Sequence, residues 1–260
     1  MNSIAKIHSL FFIALLLGCS HAKGKSSTNI SHTSDLLVKR SFYELSYNED
    51  HEVANWVAYT LEKNQLRACV SRNDNFKSDP LVITGSSALD DYKGSGFDRG
   101  HLLPAGDMKF DTKAMDDTFY LSNITPQPGK FNRGAWARLE KLVRAWALNA
   151  GKSWIVTGPI LNNSLQVIGK TNKVSVPYEY YKVILKKEGS SYVGIGLLMN
   201  TDVPYPELSA YVLDINTVEK LSGIDFFSFL EDKVEEKIEG EVDLSKWDFK
   251  ASFDYIPCGA

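Results

Sequence analysis

Hydrophobic and polar positions along the chain alternate with a period of two over several short stretches, each closed by a cluster of Gly, Pro, Asn or Ser. In Asn55–Leu61, Trp56, Ala58 and Thr60 would face one way and Val57, Tyr59 and Leu61 the other. The same reading predicts strands at Phe42–Tyr47, Cys69–Arg72, Trp154–Thr157, Tyr178–Lys186 and Tyr192–Met199. A short strand at Tyr211–Asp214 would lead into a helix over Thr217–Leu221 that Gly223 ends. The clearest helical period lies in Gly134–Asn149: Trp136, Leu139, Leu142, Val143 and Trp146 form a single apolar stripe, with Gly151 as its terminator. Pro126-Gln127-Pro128-Gly129 reads as a breaker in front of it. Strands lie on both sides of a central helix without regular βαβ alternation, and no linker divides them. The expected architecture is one α+β domain.

The N-terminus departs from this patterning. Leu10–Leu17 is an unbroken apolar run, too short to span a bilayer, which needs about 20 residues, and it reads as the core of a signal peptide. Leu16-Leu17-Gly18-Cys19 is similar to a lipobox, in which residues 1–18 are removed and Cys19 is acylated. Ser20-His21-Ala22 offers instead the small residues of an ordinary cleavage site after residue 22. Residues 23–40, rich in Ser, Thr, Lys and His as far as Asp35, read as a flexible tether to a single domain over 41–258. Both exits lead out of the cytoplasm, to an outer-membrane or cell-surface lipoprotein or to a periplasmic or secreted protein. Any membrane attachment would run through a lipid on Cys19. Cys69 and Cys258 are then an even pair in a compartment that permits disulfides. Spacing leaves a bridge and two separate thiols both open, and neither cysteine lies in a zinc-binding pattern.

Composition adds a bound: with 43% hydrophobic residues over 260, the chain can bury a sizeable core. The net charge of −3 is unpromising for a protein that grips a polyanion, but it is unevenly spread. Residues 99–144 carry eight Lys/Arg against five Asp/Glu, and residues 200–260 carry fourteen acids against five bases. One face would attract an anion and another repel it.

The basic region holds the candidate chemistry. In Asp98-Arg99-Gly100-His101, an extended backbone would point Arg99 and His101 to the same face. Arginine suits a phosphate and imidazole accepts a proton near neutrality; these residues alone leave His101 open between a structural hydrogen-bonder and a general base. Downstream, Glu140 and Arg144 are one helical turn apart, and Asn132 stands two such steps before Glu140. They read either as a helix cap with a surface salt bridge or as holders of a hydrated Mg²⁺ and a phosphate, since Mg²⁺ prefers oxygen ligands and keeps several waters.

The ordered set Asp98-Arg-Gly-His101-Leu-Leu-Pro-Ala-Gly-Asp-Met108, Tyr120-Leu-Ser-Asn123-Ile-Thr-Pro-Gln127 and Asn132…Glu140…Arg144 resembles the DNA/RNA non-specific endonuclease family. Weaker similarity runs through Asn55-Trp-Val-Ala-Tyr59, Val156-Thr-Gly-Pro159 and Val176–Val183. The resemblance implies a ββα-metal fold with a central, mainly antiparallel sheet flanked by helices. It implies His101 as general base and Asn132 as sole protein ligand of Mg²⁺ or Mn²⁺, with Glu140 bonded to metal-bound water. Arg99, Arg144 and, further upstream, Arg72 would bind phosphate, and Asn123 would support the site. It implies DNA and RNA as partners through their phosphate backbones; it leaves a homodimer open and says nothing of an inhibitor protein. A narrower phosphodiesterase and a silent nucleic-acid-binding or adhesion module are the competing readings. The second has no need of both His101 and Asn132.

Overall fold

The computed structural model describes residues 36–259; the predicted signal peptide, Cys19 and the tether as far as Asp35 lie outside them. β1 (Leu36–Lys39), β2 (Tyr43–Asn48) and β3 (Val53–Glu62) form an antiparallel meander, and β4 (Arg67–Ala68) follows. β5 (Asp98–His101) and β6 (Ile124–Gln127) make a separate two-stranded ribbon. β7 (Lys152–Pro159) returns to the main sheet beside β3, while β8 (Val167–Ile168) and β9 (Val174–Ser175) pair with each other outside it. β10 (Glu179–Glu188), β11 (Ser191–Asn200) and β12 (Val212–Leu213) complete the main sheet, and β13 (Ile256–Pro257) lies near the C-terminus. The main sheet has seven strands in the order β1-β2-β3-β7-β10-β11-β12, every neighbour antiparallel.

The helices are α1 (Leu89–Tyr92), α2 (Thr112–Asp117), α3 (Gly129–Phe131), α4 (Ala137–Ala150), α5 (Ile215–Ser222) and α6 (Asp232–Gly240). Alternation along the strands sorts the core onto the two faces of the sheet. Val57, Tyr59, Leu61, Tyr180 and Ile184 pack with Trp136, Leu139 and Trp146 on the α4 side. Trp56, Ala58, Tyr181, Val183 and Leu185 pack with Ile215, Val218 and Ile238 under α5 and α6. The predicted alternation at 55–61 is the one observed. Gly151 (φ 82°) ends α4 and Gly223 (φ 73°) ends α5, both as expected.

Several expectations are corrected. Residues 36–39, inside the expected tether, are an edge strand, because Val38 buries its side chain while the backbone pairs with β2. The strand expected at Cys69–Arg72 is only Arg67–Ala68, in parallel with β13; beyond it the Cys69 and Val70 N–H groups both donate to the Lys109 carbonyl at 2.9 Å. Pro126 and Gln127 belong to β6 rather than to a breaker. Pro126 sits opposite Arg99 in a ribbon of only two strands, where a missing N–H is tolerated. The long helix begins with one wide turn, Asn132–Trp136, in which Gly134 (φ −105°, ψ −106°) leaves helical geometry, and α4 proper starts at Ala137. The open question about the cysteines closes: Cys69 and Cys258 form a disulfide with Cα atoms 4.8 Å apart. Among the described residues no helix is long and apolar enough to cross a membrane.

Candidate active site

The β5–β6 ribbon carries the Asp98–His101 motif in extended form, so Arg99 and His101 do share a face. Gly100 is needed where the strands cross, because a Cβ there would overlap the Gln127 side chain. Beyond the strand, Asn123 anchors the backbone: its Oδ1 accepts from the Leu103 N–H at 2.9 Å, and its Nδ2 donates to the carbonyls of Leu103 (3.0 Å) and Thr118 (2.9 Å). With no exposed surface, Asn123 fixes the chain that follows His101 and does not reach solvent.

His101 is 7% exposed, and its Nε2 is buried without a hydrogen-bond partner among the described residues. Phe76 and Phe119 flank its ring at centroid distances of 5.5 and 5.2 Å. Burial, followed by the positive charges of Arg72 and Arg99, pushes the imidazole pKa down to about 3. The ring is therefore neutral across the physiological range and able to accept a proton.

Phe76 also lines an open groove of about 520 Å³, together with Arg72, Arg99 and Asn132 among others. Arg99 is exposed and lays its guanidinium over the Phe76 ring, 4.2 Å from the centroid. Arg72 pairs with Asp74 at 2.6 Å and lies 5.1 Å from the Phe119 centroid. Asn132 stands in the wide turn before α4, and its Nδ2 donates to Asp98 Oδ2 at 3.0 Å. That bond fixes the amide, and among the described residues Oδ1 makes no hydrogen bond. Among the described residues no group of three or more His, Cys, Asp or Glu could cage a metal, so the donor set fits a hydrated hard cation held through one amide oxygen, not a zinc-type site.

Glu140 and Arg144 share the α4 face as expected, but they do not pair. Arg144 is buried, and its Nη1 donates to Asp107 Oδ1 at 2.7 Å, while the Tyr59 hydroxyl donates to Asp107 Oδ2 at 2.8 Å. Arg144 does not line the groove, and its guanidinium lies 5.6 Å from the Phe253 ring. Glu140 has Lys182 of β10 as a second electrostatic partner. Burial raises Glu140 against the pull of Arg144 and Lys182, and burial lowers Lys182 against the pull of Glu140 and Asp107. Lys182 is fully buried and donates to Thr157 Oγ1.

The structure thus brings Arg72, Arg99 and Asn132 together at one groove, with His101 packed against Phe76 of its lining. It sets Asn123 as a buried anchor of the chain after His101, and places Arg144 in a buried pair with Asp107 with the half-buried Glu140 as a further charge nearby. Sequence reasoning did not single out Asp107, Lys182, Phe76 or Phe119. Lys182 carried a signal, a lone cation inside the apolar run Tyr180–Leu185, and Asp107 sits within the quoted motif. Phe76 and Phe119 come from distant loops and had none.

Comparison with known proteins points the same way. The sequence profile of the DNA/RNA non-specific endonuclease family matches residues 22–233. The human mitochondrial nuclease EXOG is 37% identical over 207 residues, 73% of this chain but 56% of the human protein, so the chain spans little more than half of that relative. Nuclease C1 of Cunninghamella echinulata var. echinulata is 38% identical over 75% of this chain and 83% of its own length. A nuclease of Nostoc sp. is 35% identical over 89% and 86%. The crystal structure of an EndoG/EndoGI complex, concerned with EndoG inhibition, superposes with a TM-score of 0.71 at 32% identity, covering 77% of this chain and 89% of the other.

Proposed function

The chain belongs to the DNA/RNA non-specific endonuclease family, and from that premise we propose that it is a Mg²⁺-dependent endonuclease that hydrolyses phosphodiester bonds of DNA and RNA without regard to sequence. One observation carries the reading. A buried, neutral His101 packs against Phe76, and Phe76 lines one groove together with Arg72, Arg99 and Asn132.

His101 takes the proton from the attacking water on its neutral ring, help that is worth about 10²–10⁴-fold. Arg99 and Arg72 bind the phosphate oxygens and stabilise the charge that builds on them. Asn132 would hold the cation through Oδ1, with Asp98 fixing the amide, and Glu140 would accept hydrogen bonds from the cation's waters. When bound, the ion neutralises phosphate charge and stabilises the leaving oxygen. Arg144, tied to Asp107, adds positive potential to the site. Asn123 holds the backbone on which His101 rides. These groups suit phosphate rather than base edges, so cleavage is independent of sequence and weakens as salt rises.

Digestion of plasmid DNA and of RNA, each with Mg²⁺ and with EDTA, tests the proposal. Both polymers are cut in Mg²⁺ and neither in EDTA; folded protein that cuts neither in Mg²⁺ would overturn it. We further propose action outside the cytoplasm, on the strength of the apolar run Leu10–Leu17 followed by Cys19. Mass spectrometry of the mature N-terminus decides the route: an acylated Cys19 marks a lipoprotein and a start at Lys23 marks free secretion.

A further inference from the structure

Phe76 and Phe119 meet edge to face, with ring centroids 5.0 Å apart and planes at 89°. Each ring also touches His101, and each carries one arginine: Arg99 on Phe76 and Arg72 on Phe119. We propose that Phe76 and Phe119 are positioning residues for phosphodiester cleavage, one aromatic platform that holds the base and both groove arginines in register. The inference rests on the roles given above to His101, Arg99 and Arg72.

Among the described residues no hydrogen bond or ion pair is made by the Arg99 guanidinium, so the Phe76 face is what limits a long and otherwise mobile side chain. His101 Nε2 has no hydrogen bond to orient the ring; the two phenyl rings confine it from two directions, at interplanar angles of 54° and 90°. The platform is itself fixed from below. The Lys77 N–H donates to the Phe119 carbonyl at 3.1 Å, and the Leu121 N–H returns to the Lys77 carbonyl at 2.8 Å. Asp116 of α2 gathers the loop, accepting from Asn73 (3.3 Å), Asn75 (3.2 Å) and the Lys77 ammonium. A ring that served only as core filling would not need a charged group on its face. Phe76 carries one beside the groove while staying 9% exposed.

Aromatic character and apolar volume can be separated. Leucine at 76 keeps a hydrophobic plug but has no ring quadrupole, whereas tyrosine keeps the ring. We expect Phe76→Leu to raise KM for an oligonucleotide about threefold, as loss of a cation–π contact would, and to lower kcat on the order of tenfold through a looser His101. Phe76→Tyr should stay within about twofold of the parent on both. Arg99→Ala should absorb the KM effect, so that the double variant Phe76→Leu/Arg99→Ala binds no worse than Arg99→Ala alone. Wild-type KM and kcat in Phe76→Leu would overturn the proposal. So would equal losses in the leucine and tyrosine variants, or additive effects with Arg99→Ala. Phe76→Met replaces the leucine variant if the latter gives no cooperative thermal melt. Anisotropy with a fluorescent single-stranded oligonucleotide in EDTA repeats the comparison without turnover. If the parent cuts nothing, the proposed activity fails there, while the binding series still decides whether the platform holds Arg99.

Discussion

Asp107 is the residue on which the buried charge network depends, and replacing it tests the account most severely. The carboxylate is 1% exposed and serves two partners, Arg144 at 2.7 Å and the Tyr59 hydroxyl at 2.8 Å. Burial by itself would lower the pKa of Arg144, but the charges of Asp107, Tyr255 and Glu140, with the hydrogen bond to Asp107, outweigh it and raise it. In Asp107→Ala the guanidinium stays charged with its neutralising carboxylate gone, and removing one partner of a buried pair costs about 3–5 kcal/mol. The stranded Tyr59 hydroxyl adds roughly 1 kcal/mol. Against a total stability of about 5–15 kcal/mol the sum is severe. At roughly 2–4 °C per kcal/mol for a domain of this size, the midpoint should drop by roughly 10–20 °C. Thermal melting followed by circular dichroism measures it, with Asp107→Ala/Arg144→Met beside it. The double variant removes the stranded cation and should recover more than half of the loss. A drop of under about 3 °C in the single variant, or no recovery in the double, would refute the network.

Two further outcomes follow from buried titrating groups. His101→Ala should lower kcat by about 10²–10⁴-fold while leaving oligonucleotide affinity in EDTA unchanged; because His101 stays neutral down to about pH 3, the acid limb of the parent's pH–rate profile above pH 4 should not follow an ordinary histidine, and NMR titration of the imidazole checks it. Glu239, packed near Glu219, Glu235 and Asp225, is pushed up to about 9 by burial and then by those like charges. A carboxyl whose folded pKa is raised gives stability that is complete below its unfolded value near 4.5 and is lost as pH rises toward 9. Glu239→Gln should therefore leave melting at pH 4 unchanged and raise stability at pH 8 by on the order of 1–3 kcal/mol. A lower midpoint at pH 8 would mean that the carboxylate is favourably held.

What could be read in advance follows from the range of the interactions. Alternation in 55–61 and the 136–146 stripe are local properties, and both the strand and the helix face came out as written. The β5–β6 ribbon was half legible: the motif fixed which residues matter, yet Pro126 concealed that its own segment pairs with Arg99. Spacing suggested Glu140 with Arg144, four apart. The observed partner of Arg144 is Asp107, 37 positions away, because folding decides which carboxylate is dry and close. Phe76 and Phe119 are brought together by loops that Asp116 organises, a contact no periodicity encodes. Likewise, two cysteines 189 residues apart give no sign of their pairing until the C-terminal segment is laid beside Arg67–Ala68.

That disulfide also alters the covalent outline of the molecule. Everything from Cys69 to Cys258, including the groove, α4 and the whole C-terminal half of the sheet, lies on a closed loop of chain. A protease that cuts one exposed turn in it, such as the stretch at 202–207, opens a ring without releasing a fragment. The two pieces remain one molecule held by the bridge and by the sheet pairing across it. A single nick should thus go unseen on a non-reducing gel and appear as two bands once thiols are added. The ring makes the fold tolerant of cleavage at its own surface.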